Sequence, residues 1–218
     1  MIINYVGGKE FAPKGVEKKN RNACYFPMKL SRDFYTRNDV VKIAQELLGK
    51  VLFTKINGEI TSGIIIETEA YAGITDRASH AFGNRRTERT EIMYSIGGTA
   101  YVYFCYGMHH LFNVVTNEKN IPHAVLIRAI KPLDGTELIL KRRNKKKLEM
   151  KICSGPGTVS QGLGIKTFHT GTNLLSKIIW IEERGIKISK SDIIKKTRIG
   201  VDYAGADALL PYRFFTTI

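Results

Sequence analysis

Several residue types are scarce in this chain, and each shortage excludes something. Among 218 residues there are three cysteines, six prolines and one tryptophan. Cys24, Cys105 and Cys153 are odd in number and widely spaced, so they form no disulfide framework and suit a reducing compartment. No Cys-x-x-Cys pair occurs. The histidines, His80, His109, His110, His123 and His169, make no His-Glu-x-x-His pattern, and no metal site is expected. On a strand, the adjacent His109 and His110 would point to opposite faces. Gly97-Gly98 and Ser154-Gly155-Pro156-Gly157 lack the Lys-Ser/Thr ending of a phosphate-cradling loop. No apolar run reaches the roughly 18 residues needed to span a bilayer, and the N-terminus has no apolar stretch of signal-peptide type. Acidic residues are also few, with 20 Asp+Glu against 34 Lys+Arg, a net charge of +14. Such an excess points to a polyanionic partner, most simply nucleic acid.

What is present suits one folded domain. The apolar fraction of 43% excludes a wholly disordered chain, and the length can bury a core without staples. Residues 1–27 are polar and basic, with no clear period, and read as a poorly ordered or loosely docked extension before a domain over 28–218. Asn38 is a candidate helix cap ahead of Val40, Val41, Ala44, Leu47 and Leu48, with Gly49 as the stop. Val51–Lys55 and Ile60–Tyr71 read as strands joined at Asn57-Gly58. The polar stretch from Ala72 to Glu91 is long for a structureless loop, and such loops often carry function. Thr99–Tyr106 and Leu111–Thr116 predict a second hairpin with an aromatic tip, and Ala124–Ile130 another strand. Asp134 and Glu137 read as the cap of a helix running into the Lys141–Lys147 basic run. A short helix after Ser154, a strand over Ile178–Glu182 and a closing strand at Arg213-Phe214-Phe215 complete an α+β pattern.

Three segments could carry chemistry. In Glu67-Thr68-Glu69-Ala70-Tyr71, residues 67, 69 and 71 share one strand face, and a carboxylate there could act as a general base. The bland alternative is that both glutamates face solvent or pair with arginines. In Tyr101-Val102-Tyr103-Phe104-Cys105-Tyr106, aromatics near a hairpin tip could stack on bases or wedge between them, although tyrosines on strands are more often half-buried packing. Arg and Thr side chains in Gly83–Thr90 suit phosphate oxygens, or simply form a solvated loop.

Taken in order, these pieces resemble one family, the alkyladenine (3-methyladenine, methylpurine) DNA glycosylases of the monofunctional animal and bacterial type. The resemblance covers Leu30 to the C-terminus. It is carried by Glu67–Tyr71, Ala78-Ser79-His80, Tyr101-Val102-Tyr103 with Tyr106-Gly107-Met108, Asn113, Leu126-Ile127-Arg128-Ala129, Cys153-Ser154-Gly155-Pro156 and the Arg198–Gly205 segment. It implies a single mixed domain around a curved antiparallel β-sheet with a protruding hairpin. It also implies a substrate of duplex DNA containing damaged purines, with no cofactor. Glu69 would be the catalytic carboxylate, and Arg128 would help hold the attacking water and keep Glu69 ionised. Tyr71 and His80 would sandwich the flipped base and Tyr103 would complete the wall. The backbone amides of Ala78 and His80 would read the purine edge, and Asn113 would clash with the exocyclic amine of guanine. Tyr106 would fill the gap left by the extruded nucleotide, and Arg85, Thr87 and Arg89 would lie beside the DNA backbone. No lysine stands at a nucleophile position, so direct hydrolysis without a lyase step is implied. The expected state is a monomer in the bacterial cytoplasm, or in the nucleus of a eukaryote, with no membrane partner. A non-catalytic nucleic-acid-binding module and a nucleoside or RNA glycosidase are the competing readings. The Glu67-x-Glu69 pair argues against the first, because carboxylates repel phosphate, and a wedge tyrosine on a hairpin argues against the second.

Overall fold

The computed structural model describes residues 28–149 and 151–217, so the N-terminal extension inferred over 1–27 lies outside the described residues. A two-residue strand, β1 (Met28–Lys29), precedes helices α1 (Arg32–Thr36) and α2 (Val40–Glu46). The α2 cap is Asp39 rather than Asn38: its carboxylate accepts the Lys42 N–H at 2.8 Å. β2 (Val51–Ile56) and β3 (Glu59–Tyr71) form the first hairpin, and β4 (Thr99–Cys105) and β5 (His109–Thr116) the second. β6 (His123–Pro132), α3 (Thr136–Arg143), α4 (Pro156–Leu163) and β7 (Ile179–Glu183) follow. The short strands β8 (Ile194–Lys196) and β9 (Arg213–Phe215) end the chain. The 72–91 segment is held by short 3₁₀ turns, at Gly73–Thr75 and Phe82–Asn84 and then at Glu91–Tyr94.

Two further boundary expectations fail for local reasons. Asp134 does not cap α3; it accepts a 2.6 Å hydrogen bond from Ser62 Oγ, and Gly135, at φ 65°, turns the chain into the helix. The helix also stops at Arg143, because Asn144 takes a left-handed conformation at φ 51°, so Lys145–Lys147 lie beyond it.

The strands form one antiparallel sheet in the order β1-β7-β2-β3-β6-β5-β4, with β9 added to the far half of β3 and β8 to β9. This bears out the α+β, curved-sheet expectation. The helices cover one face. Ile43, Leu47, Leu52, Phe112, Val114, Val125, Ile127, Val159 and Leu163 form the main core there. A smaller cluster of Ala81, Met93, Tyr94, Tyr101, Val115 and Ala124 lies on the other face.

A pair of register shifts decides what that second face carries. Ile65 pairs with Ile130, but Glu67 pairs with Ala129 and Thr68 with Ile127. Ile66 is therefore an extra residue on β3, and Arg128 an extra residue on β6. Ile65, Ala70, Ile127 and Ile130 all stay in the core. With unbroken alternation, Glu67 and Glu69 would share Ile65's face and enter that core. The bulges reset the phase, as bulges at functional edges do. The backbone carbonyls they displace are satisfied: Ile66 O accepts the Thr216 N–H at 3.0 Å and Arg128 O the Gly155 N–H at 2.8 Å.

Candidate active site

Beyond the bulges, β3, β4, β5 and β6 present Tyr71, Tyr101, Tyr103, Asn113, Leu126 and Arg128 to one cleft of about 340 Å³. Ala78, His80, Arg89 and the Ile199–Val201 segment close it. Its size falls in the range of small-molecule sites.

Glu69 stands at the base of this wall with no solvent exposure. Its Oε1 accepts the Ile199 N–H at 2.9 Å and lies 3.3 Å from Arg128 Nη1. Its Oε2 accepts the Tyr71 O–H at 2.8 Å. Burial pushes the carboxyl above its ordinary range; the Arg128 charge, the Ile199 N–H and the Tyr71 hydroxyl pull it back, while Glu67 adds to the rise. Burial outweighs the three ligands, which leaves Glu69 a stronger base than a solvated carboxylate. Tyr71 is itself held far above the ordinary tyrosine range by burial and by Glu69, so it keeps its proton and donates it. Glu67 pairs with arginines, as the bland alternative held: Arg128 Nε lies at 3.1 Å and Arg213 Nη1 at 3.0 Å. Arg128 is thus gripped by one carboxylate and aimed at the other.

The aromatic walls are tied together. His80 Nδ1 lies 2.8 Å from the Tyr101 hydroxyl, and its ring stands edge-on to Tyr103 with centroids 4.8 Å apart. Burial, with Arg89 and Arg85 nearby, lowers the His80 pKa to about 4, so the imidazole is neutral at neutral pH. Asn113 is buried, and its Nδ2 donates to the Tyr101 and Leu111 carbonyls at 3.1 and 3.3 Å, which fixes the amide against the cleft wall. Tyr106, at the hairpin tip, is 83% exposed.

The structure therefore brings Arg128, Tyr71, Ala78, His80, Tyr103, Tyr106 and Asn113 together around one cleft, with Glu69 directly behind the lining and bonded to Tyr71, Arg128 and Ile199. One placement differs from the sequence reading, and two loop residues gain contacts within the protein. The Ala78 N–H is engaged by Asp76 Oδ1 at 3.0 Å rather than open to the cleft. Arg89 lies over the Tyr103 ring at 4.8 Å and lines the cleft. Thr87 is knotted to Thr90, whose Oγ1 accepts the Thr87 N–H at 2.8 Å. Arg85, Thr87 and Arg89 are all exposed on the loop. Sequence reasoning missed the Ile199 N–H and the Tyr101–His80 contact. The segment holding Ile199 was in the resemblance, but nothing in a sequence marks a backbone amide. No cluster of metal-ligating side chains occurs among the described residues.

A buried carboxylate between an arginine and a phenol, beside aromatic walls, is an arrangement able to do general-base chemistry on a flat ring. The comparisons agree with that class. The chain belongs to the methylpurine-DNA glycosylase family, whose family model matches residues 33–217. A protein of Chlamydia felis is 48% identical over 190 residues, 87% of this chain and 96% of the relative. A Clostridium perfringens protein is 43% identical over 196 residues, covering 86% and 95%. One from Desulfitobacterium hafniense is 40% identical over 194 residues, covering 86% and 94%. Each carries the name "Putative 3-methyladenine DNA glycosylase".

Proposed function

We propose that this chain is a base-excision DNA glycosylase. It removes alkylated or deaminated purines (3-methyladenine, 7-methylguanine, hypoxanthine, ethenoadenine) from duplex DNA by direct hydrolysis, acting as a monomer. The observation that carries this reading is the completely buried Glu69, ligated by Arg128, Ile199 N–H and Tyr71 at the foot of an aromatic cleft.

The physics is consistent. A stacked base hides its glycosidic carbon from water, so it must leave the helix, at a cost of a few kcal/mol that is least for a lesion. Tyr106 offsets part of that by filling the gap. In the cleft, Tyr71 and His80 hold the ring. Glu69 takes a proton from a water molecule, whose oxygen bonds to the sugar C1′ as the bond to the purine breaks. The purine leaves with the electron pair. The transition state is oxocarbenium-like, as in sugar hydrolysis, where a second acid usually protonates the leaving group. An N3- or N7-alkylated purine already carries positive charge and needs no such acid. Hypoxanthine is neutral, and contacts around the ring must assist it.

The test is single-turnover cleavage of duplexes carrying one hypoxanthine or one ethenoadenine, with EDTA, read before and after hot alkali. Strand breaks should appear only after alkali and only with wild type. Glu69→Gln should lose turnover by roughly a thousandfold or more, the upper part of the range for general-base catalysis, while still binding lesion DNA. Equal turnover by Glu69→Gln, or breaks without alkali, would overturn the mechanism.

A further inference from the structure

The mechanism above uses Glu69, Arg128 and the aromatic walls but leaves one buried ion pair without a part. Arg198 and Asp76 meet in bidentate geometry, with Nη1–Oδ2 at 2.5 Å and Nη2–Oδ1 at 2.8 Å, and their side chains are 0% and 2% exposed. As a stabiliser this is a poor choice. Desolvating two charges largely cancels their attraction, and an apolar pair would serve the fold as well.

Each further contact of the pair leads to the cleft. Asp76 Oδ2 accepts the Ala72 N–H at 2.9 Å and Oδ1 the Ala78 N–H at 3.0 Å, so the carboxylate shapes the whole turn from the end of β3 to the cleft wall. Arg198 donates from Nη1 to the Ala70 carbonyl and from Nη2 to the Asp207 carbonyl, each at 3.0 Å. Its guanidinium carbon lies 4.9 Å from the centre of the Tyr71 ring, backing the ring that would stack on the base. The next residue along the chain is Ile199, whose N–H is bonded to Glu69.

We propose that the Asp76–Arg198 pair is a positioning element of the reaction. It sets the plane of Tyr71 and holds the Ile199 N–H against Glu69, so that one buried contact positions both the stacking ring and a donor to the catalytic carboxylate. The inference rests on the glycosylase reading for its meaning but not for its test. The groups facing Glu69 are Arg128 from β6, the Ile199 N–H from the segment before β9, and Glu67 and Tyr71 from β3 itself, while Arg198 stands farther off and feels the Glu69 charge without touching it. Arg213 of β9 turns to Glu67, and Asp76 lies behind Arg198.

Two variants separate positioning from plain structure, because they move Glu69 in opposite directions. In Asp76→Leu/Arg198→Met an apolar pair fills the space. The cation is gone and the Ile199 loop is released, so Glu69 should titrate at higher pH, by about one unit, as expected for losing a nearby opposite charge. Asp76→Asn leaves Arg198 uncompensated, and Glu69 should titrate at lower pH. The titration is read from the carboxyl ¹³C resonances, with Glu69 assigned by its absence in Glu69→Gln, and needs no turnover. Single-turnover cleavage of ethenoadenine duplex, run alongside, should fall roughly tenfold or more in both variants, since a small misplacement of a reacting group is enough for that. The acid limb of cleavage should follow the carbon titration in each.

Opposite titration shifts establish the positioning role. Unchanged Glu69 titration in a folded variant, or shifts of the same sign in both, would overturn it. If the double variant does not fold, Asp76→Asn alone decides: a shift to lower pH supports the proposal, and no shift sinks it. An inactive wild type would remove the glycosylase reading, while the carbon titration would still judge the pair.

Discussion

The two hairpins are built to the same plan and spend it differently. β2–β3 turns at Asn57 and Gly58, with φ of 54° and 83°, conformations these residues adopt at little cost. β4–β5 turns through Tyr106, Gly107 and Met108, and places Tyr106 in the left-handed region at φ 52°. A bulky residue there costs on the order of 1–3 kcal/mol. No packing offsets it, since Tyr106 is 83% and Met108 68% exposed. The contrast extends down the strands. The buried polar pair on β2–β3, Thr54 and Thr61, bond to each other at 2.7 Å and to the Leu163 carbonyl and Arg142, so they are satisfied within the protein. On β5, Asn113 is buried with its amide pinned at a cleft wall. β2–β3 serves the fold. β4–β5 departs from local rules where it would meet a partner, which is where such departures are expected.

Exchanging the tip should sharpen the contrast most. Tyr106→Gly should weaken binding to a hypoxanthine duplex roughly tenfold or more, about 1.4 kcal/mol, measured by fluorescence anisotropy. Its thermal stability should hold or rise, because the strained side chain is gone. Asn57→Gly should change neither quantity. Undiminished binding by Tyr106→Gly would erase the functional half of the comparison. A step lower in the same hairpin, Asn113→Ser removes the group proposed to exclude guanine. Cleavage of normal guanine relative to hypoxanthine should rise by about tenfold, within the range for one pocket contact. Unchanged selectivity in a competition assay would leave Asn113 a packing residue only.

The same contrast explains how much was legible in the sequence. Alternation and the Asn57-Gly58 turn reveal β2–β3, and the Tyr101–Tyr106 run reveals β4, because those signals are local. Strand alternation marks Glu69 and Tyr71 as one face and the resemblance adds Arg128; the three meet in the fold, with Tyr71 Oη 2.8 Å and Arg128 Nη1 3.3 Å from the Glu69 carboxylate. The bulges did not show, although they decide whether Glu69 enters the core or the cleft, because an extra residue on each strand leaves no mark in either strand alone. Asp134 resembled a cap in isolation, yet Ser62, 72 positions away, takes it. The Ile199–Glu69 bond spans 130 positions and uses a backbone donor, so no side-chain pattern could signal it.

The smallest effect tests whether the β3 segment beyond the bulges trades stability for chemistry, as the β4–β5 tip does. Burial raises the Glu69 pKa in the fold. A carboxyl that holds its proton more tightly when folded contributes stability that is complete below its unfolded value of about 4.3. That contribution is lost as pH rises through the folded value. At pH 7 the ionised Glu69 therefore burdens the fold, and Glu69→Gln should melt higher than wild type, on the order of 2 °C for a chain this long. The gap should close as the pH falls below about 4.3. His80, neutral in the fold with a pKa of about 4, also loses stability on acidification, but it is common to both proteins and cancels in the difference. A gap of opposite sign at pH 7 would mean that Arg128, the Ile199 N–H and Tyr71 outweigh burial, and that this end of β3 is as comfortable as the hairpin end.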